Sequence, residues 1–313
     1  MSEPAIEAHA LVRHFGAVQA VRGIDLHASK GELVGLVGPD GGGKTTMLRM
    51  IAALMRPTSG TLRVLGEDPF ARRSRVRERL GLVPQDHSLY GDLSIDENLR
   101  FFSSLFGLSR ADFRTRRERL MQITRLGQFG ARRADQLSGG MYKKLSLACS
   151  LLHHPEVLLL DEPTNGVDPV SRRELWELVH QFLDEGMTVV VSTPYMDEAA
   201  RCHRVLLVHE GRVLAEGAPG KLVQALPHPT FEVIGGEREA LHTLLASLPG
   251  VLAASPAGAE LRIVVEDARA AAVRGAIEAT GAQLSATTPG FEDLFLASVA
   301  LARRAEHESE RAA

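Results

Sequence analysis

Thiols are scarce in this chain: Cys149 and Cys202 are the two cysteines among 313 residues. Neither has the spacing of a metal ligand, so a cysteine metal site is excluded, and so few thiols point to a reducing compartment. An excess of charge of one sign is also missing. Lys and Arg number 36 against 39 Asp and Glu, a net charge of −3, which leaves no electrostatic footprint for nucleic acid. No apolar run approaches the ~18 residues that a membrane helix needs, so the chain is expected not to span a bilayer by itself, although a partner could hold it there. The opening residues MSEPAIEAHA are acidic and lack the basic and apolar segments of a secretory leader. No internal repeat is visible. What is present is ordinary for a globular protein: 44% hydrophobic and 24% charged residues. The length exceeds one ordinary core and suggests a large domain with a small one beside it.

Strand-like and helix-like segments alternate through the first 220 residues. GELVGLVG (31–38), EVLLLDEP (156–163) and MTVVVST (187–193) are short, nearly continuous apolar runs, the pattern of parallel strands buried on both faces. KTTMLRMIAALM (44–55) has helical spacing and stops at the breaker Arg56-Pro57-Thr58-Ser59-Gly60. A second helix is expected from Ser171 to Asp184. Residues 86 to about 150 carry more helix pattern and charge and are expected to form a helical subdomain. The arginines at 72, 73, 75, 77 and 79 are expected on a solvated helix face, with a partner contact as the alternative. After a break near QALPHPT (224–230), the order strand, helix, strand, strand, helix, strand suggests a ferredoxin-like unit. The expected division is 5–225 for the large domain, 229–300 for a small α+β domain and 301–313 for a polar, frayed tail.

Gly38-Pro39-Asp40-Gly41-Gly42-Gly43-Lys44-Thr45-Thr46 fits GxxxxGK[ST] between a strand and a helix. Glycines let backbone N–H groups turn inward around phosphate oxygens, and the helix N-terminus adds its positive dipole. Lys44 is expected to reach the β- and γ-phosphates and Thr45 to place its hydroxyl on Mg²⁺. VLLLDEP supplies the other half: Asp161 for the metal, and Glu162 to polarise an attacking water. A glycine turn that binds nothing, or a mere surface pair of carboxylates, is the alternative for each motif alone. His153 and His154 are expected as helix-end residues and His203 as a surface residue.

With these motifs, LSGGM (137–141), LVPQ ending at Gln85, and LLLDEPTNGVDP complete an ordered set. Over residues 5 to about 225, the chain resembles the nucleotide-binding domain of ABC transporters. The resemblance implies an α/β P-loop NTPase fold, ATP and Mg²⁺ as ligands, and ATP hydrolysis by a catalytic set of Glu162, Lys44 and Gln85. It further implies that Phe15 stacks on adenine, with a core phenylalanine as the alternative. Gln85 would contact Mg²⁺ and the water, and Ser138, Gly139 and Gly140 would close on the γ-phosphate held by a second ATPase domain. Asp168 would touch that second domain. Met141 replaces the commoner glutamine. TPGFEDLFLA (288–297) resembles the terminal motif of ATPases paired with ABC-2 type permeases in the drug-exporter branch; an amphipathic helix start is the alternative. Leu89, Tyr90 and Leu93 lie where the family faces its permease, and core packing is their other reading.

One position departs from the family. VSTPYMDEA (191–199) carries Pro194 where the resemblance implies a histidine on the γ-phosphate. Proline has no side-chain donor and no backbone N–H. Three consequences stay open: pairing with a different, intact ATPase; a slow homodimer; or a regulatory ATP-binding module with little hydrolysis. The resemblance implies an exporter ATPase on the inner face of the cell membrane, working through a separate permease, with no nucleic acid as partner. The alternative outside transport is a soluble ABC ATPase acting on ribosomes or DNA. Such proteins usually carry two ATPase domains or a long coiled-coil insertion, and neither is visible here.

Overall fold

In the computed structural model, which describes residues 4–86, 88–258 and 260–312, the chain divides after Pro194. Residues up to Pro194 together with Glu210–Arg212 form one compact unit, and Tyr195–His209 with the residues from Val213 onward form another. The first unit runs β1 (Pro4–Phe15), β2 (Val18–Ser29), β3 (Leu33–Val37), α1 (Lys44–Ile51), β4 (Ser59–Val64), α2 (Arg73–Arg77), β5 (Leu80–Val83), α3 (Ile95–Leu105), α4 (Arg110–Ile123), α5 (Gly139–Leu151), β6 (Val157–Asp161), α6 (Pro169–Asp184) and β7 (Thr188–Thr193).

The apolar runs become parallel neighbours in the order β5, β6, β7, β3. Every residue of β3, β6 and β7 is buried, as strands covered on both faces require. The register pairs Val37 with Thr193 and Asp161 with Ser192, so the carboxyl ends of the three strands finish together. That end of an open parallel sheet is where ligands bind. A separate antiparallel sheet has the order β2, β1, β4.

Helix α1 is shorter than its apolar pattern suggests. It ends at Ile51; Ala53 takes a positive φ of 56°, and Leu54 is left exposed. Helices α3, α4 and α5 occupy the stretch read as helical. Of the arginine run, Arg73–Arg77 forms the short α2, where Arg75 pairs with Glu67 at 3.0 Å.

The second unit runs α7 (Met196–Ala199), β8 (Arg204–His209), β9 (Arg212–Gly217), α8 (Pro219–Gln224), β10 (Thr230–Ile234), α9 (Arg238–Ser247), β11 (Val251–Ala257), β12 (Glu260–Val265), α10 (Ala270–Glu278), β13 (Gln283–Thr287) and α11 (Phe291–Ala312). From β10 to β13 this is the expected βαββαβ order. The strands pair antiparallel as β11, β12, β10, β13, the ferredoxin-like arrangement. Phe231, Val233, Leu245, Ile263, Val265 and Ile277 form its core. The compact unit begins well before residue 229 because α11 packs on α7 and α8 as well as on β11 and β12. The tail expected to fray instead continues α11 as far as Ala312. Within TPGFEDLFLA, Leu294 and Phe295 are buried, and the buried Asp293 accepts from Arg262 Nε at 2.8 and 3.0 Å and from Gly290 N at 2.6 Å. The motif thus starts and anchors α11.

Candidate active site

Gly38 leaves β3 with its N–H donated to Thr193 O at 3.2 Å, and the chain then winds through three glycines into α1. Gly41 and Gly43 have φ of 76° and 102°. At Gly43 a side chain is also sterically excluded, because a Cβ would stand 2.4 Å from Ala20 O. The loop borders a cleft of about 420 Å³ lined by Ala20, Asp40, Gly41–Thr46, Gln85 and Glu162. Lys44 is 3% exposed. Its Nζ donates to Gly38 O at 2.8 Å and Pro39 O at 2.9 Å, and lies 3.6 Å from Glu162 Oε1.

The carboxylates arrive on β6. Asp161 Oδ1 accepts from Thr45 Oγ1 at 3.0 Å and from Ser192 Oγ at 2.6 Å. These are hard oxygen donors from three elements, of the kind Mg²⁺ takes. Glu162 follows at φ 46°, a left-handed backbone for a residue with a Cβ, and such strain is kept where the surroundings over-determine it. Its N–H donates to Ser192 O at 3.1 Å and Ser192 Oγ at 3.0 Å. Two amides donate to Glu162 Oε2: Gln85 Nε2 at 2.9 Å and Asn165 Nδ2 at 3.4 Å. Burial pushes the Glu162 carboxyl above the usual carboxylate range; Lys44 pulls it back, while Asp40 and Asp161 push it further up. A carboxylate with raised proton affinity beside a cationic lysine can take a proton from water.

The signature residues are not part of that cleft. Ser138 is the N-cap of α5, its Oγ accepting from Met141 N at 3.4 Å. Gly139 and Gly140 begin the helix. A Cβ on Gly140 would lie 2.3 Å from Ser171 Oγ, so α5 and the start of α6 approach too closely for any side chain there. Asp168 caps α6, accepting from Val170 N at 3.1 Å and Ser171 N at 2.9 Å. The bonds from Ser171 hold its carboxyl below the usual range. Phe15, at the end of β1, is 42% exposed, with the Arg13 guanidinium 4.7 Å from its ring centre. It is therefore not a core residue.

The ABC transporter family model matches residues 21–165. The chain is 40% identical over 302 residues to the probable multidrug ABC transporter ATP-binding protein YbhF of Escherichia coli (strain K12), covering 95% of this chain and 52% of that protein. It thus spans about half the length of that relative. It is 41% identical over 251 residues to the Nod factor export ATP-binding protein I of Paraburkholderia xenovorans (strain LB400), covering 79% of this chain and 82% of that one. Among solved structures, an ATP-binding subunit of an ABC transporter aligns over 70% of this chain and 92% of its own, with a TM-score of 0.64 and 27% identity. The cbiO1 protein of Clostridium perfringens, part of the ABC transporter complex cbiONQ, aligns over 79% of this chain and 97% of its own, with a TM-score of 0.66 and 25% identity. This chain belongs to the ABC transporter ATP-binding family.

The phosphate loop, Glu162 and Gln85 border one cleft, and Asp161 is joined to it through Thr45. Four residues that touch this machinery escaped the motif reading. Ser192 buttresses both Asp161 and Glu162; its place at the end of an apolar strand was the one available clue. Asn165 lies inside the quoted DEPTNG segment but was not singled out. Ala20 supplies the carbonyl that keeps Gly43 bare. Lys143 Nζ donates to Gln85 O at 3.0 Å. Burial pulls its ammonium below the usual lysine range, against the opposing pull of Asp161, Asp86 and Glu162. Pro194 follows β7 directly, two residues past the Ser192 that binds Glu162 N. Among the described residues no helix is long and apolar enough to cross a membrane.

Proposed function

We propose that the chain is the ATP-hydrolysing subunit of an exporter, driving a separate ABC-2 type permease from the inner face of the cell membrane, with drug or multidrug efflux as its class. The observation that carries this reading is the buried pair Lys44 and Glu162 at the carboxyl ends of β3 and β6, joined by Gln85 from the segment after β5. In the proposed site, Gly38–Thr46 hold the phosphates and Lys44 neutralises the β- and γ-oxygens. Phe15 presents an exposed ring to adenine. Thr45 Oγ1, Asp161 and Gln85 fit Mg²⁺. When bound, Mg²⁺ offsets charge on the β- and γ-phosphates. Glu162 accepts a proton from the attacking water, and Gln85 and Asn165 fix its orientation.

Ser138, Gly139 and Gly140 lie outside the cleft that this chain builds, so they serve the γ-phosphate of a second ATPase domain, either a copy or a different subunit, and Asp168 contacts the same partner. The functional ATPase region is 5–225, with 229–300 an accessory domain. An apolar cavity of about 520 Å³ suits the permease; Leu54, Leu89, Phe102, Leu105 and Phe106 help line it. The names of the export relatives and the α11 motif favour an exporter. Pro194 withdraws one donor from the γ-phosphate, and the loss of one transition-state donor costs roughly 10²–10³ in rate. Steady-state ATP hydrolysis by the chain beside Pro194→His tests this. A slow wild type that the histidine accelerates supports a weakened site. A fast wild type that the histidine leaves unchanged overturns it. Failure of both to bind ATP overturns the ATPase reading itself, and co-purification with ribosomes or DNA instead of a membrane protein overturns the transport reading.

A further inference from the structure

Helix α5 is bonded to the segment after β5 by three polar side chains on its first two turns. Lys143 Nζ donates to Gln85 O at 3.0 Å. The Tyr142 hydroxyl accepts from Leu89 N at 2.9 Å. Ser146 Oγ lies 2.8 Å from Ser88 Oγ. The same segment reaches the catalytic carboxylate, because Gln85 Nε2 donates to Glu162 Oε2 at 2.9 Å. A continuous path therefore runs from the Ser138 cap, along α5, through Lys143 to the Gln85 backbone, and through the Gln85 amide to Glu162.

We infer that Lys143 is a positioning residue which ties the N-terminal end of α5 to Glu162 of the same chain through Gln85. The inference rests on the proposed ATPase reading and adds a direction to it. A helix is stiff along its axis, so a shift imposed at Ser138–Gly140 by a phosphate of the neighbouring site moves Lys143. A charge-assisted bond is among the stronger and shorter ties a side chain can make to a carbonyl, so Gln85 follows. The Gln85 amide then sets where Glu162 Oε2 points. Tyr142 and Ser146 bond Leu89 and Ser88 of the same segment, and Lys143 is the member bonded to Gln85 itself. Pro194 sharpens the dependence: with no donor from that position, the amides of Gln85 and Asn165 carry more of the orientation.

Lys143→Met and Lys143→Arg, each alone and with Gln85→Ala, test the tie through kcat and KM for Mg-ATP, together with hydrogen exchange of the full chain over 85–89 and 162–165. Misplacement of a catalytic group by about 1 Å costs up to roughly a hundredfold, so Lys143→Met should lower kcat by about ten- to a hundredfold. KM and melting temperature should stay near wild type, and Lys143→Arg should recover most of the rate. Exchange should quicken over both segments in the methionine variant. In the Gln85→Ala background, Lys143→Met should add nothing. An unchanged kcat, a change in KM alone, or an equal loss with and without Gln85 would overturn the inference. If no chain hydrolyses ATP, the ATPase reading falls, and the exchange data still decide: equal exchange at 162–165 in wild type and Lys143→Met overturns the tie.

Discussion

The phosphate loop and the signature segment are built from the same local parts. Each places glycines at the start of a helix, just before α1 and as the first residues of α5, a setting that favours an anionic oxygen. Their surroundings differ. At the phosphate loop, a buried lysine and an amide engage one carboxylate, Glu162, and a threonine hydroxyl engages a second, Asp161. At the signature, Ser138 caps α5 and Asp168 caps α6, with Gly140 pressed against Ser171. In the proposed reaction the first end holds the reacting groups. The second is proposed to offer a phosphate contact, and its carboxylate, Asp168, is engaged in capping α6. On the proposed reading, a complete site takes the first end of one chain and the second end of another.

The largest expected effect is at the first end. Lys44→Ala removes the buried ammonium proposed to pair with the β- and γ-phosphates, and truncating one partner of a charge pair buried on binding costs about 2–5 kcal/mol, so ATP affinity should fall by roughly a hundredfold or more. Titration with a fluorescent ATP analogue measures it; unchanged affinity would erase the contrast between the two ends. At the second end, Ser138→Asp keeps a good N-cap and sets a negative charge where phosphate is expected. ATP binding by the isolated chain should persist while turnover falls by about a hundredfold, the scale of losing one transition-state donor. Equal loss of binding and turnover would mean that the signature serves its own chain's site.

Two smaller effects concern structure. In the second unit, Arg262→Met leaves Asp293 buried and unpaired, which should destabilise the protein by about 3 kcal/mol without changing ATP affinity, as read by denaturant melts beside nucleotide titration. Smallest is Asp168→Ala. The Asp168 pKa is lowered in the folded chain, so its stabilising contribution is present above the ordinary aspartate range and is lost as pH falls through the depressed value. The variant should melt lower than wild type at neutral pH, and the gap should close on acidification. A gap that persists at low pH would show that the carboxylate's charge is not the cause.

Residues whose chemistry is written in local order were legible in the sequence: Gly43, Lys44 and Thr45 in one loop, Asp161 and Glu162 at one strand end, and Ser138–Gly140 at one helix start. The ferredoxin-like strand order was legible as well, because each element there carries its own period. What escaped reading was non-local. Ser192 bonds the Asp161 carboxylate and the Glu162 backbone, and Lys143 bonds the Gln85 carbonyl, from a strand and a helix far away in sequence, and only the register of β6 with β7 or the bonding face of α5 reveals them. The end of α1 was misjudged because Leu54 and Met55 continue its apolar period past the positive φ at Ala53, where the backbone stops being helical. The compact second unit reaches beyond 229–300 for a non-local reason, since α7 and α8 join it by packing on α11.

The complementarity of the two ends is tested most directly by the mass in solution of the Glu162→Gln chain, with and without Mg-ATP, by sedimentation. Slow hydrolysis in that variant should hold ATP between two chains, and the account predicts one chain without nucleotide and two with it, the pairing abolished by adding Ser138→Asp. A single chain that binds ATP and keeps the same mass would contradict the division of the site between two chains.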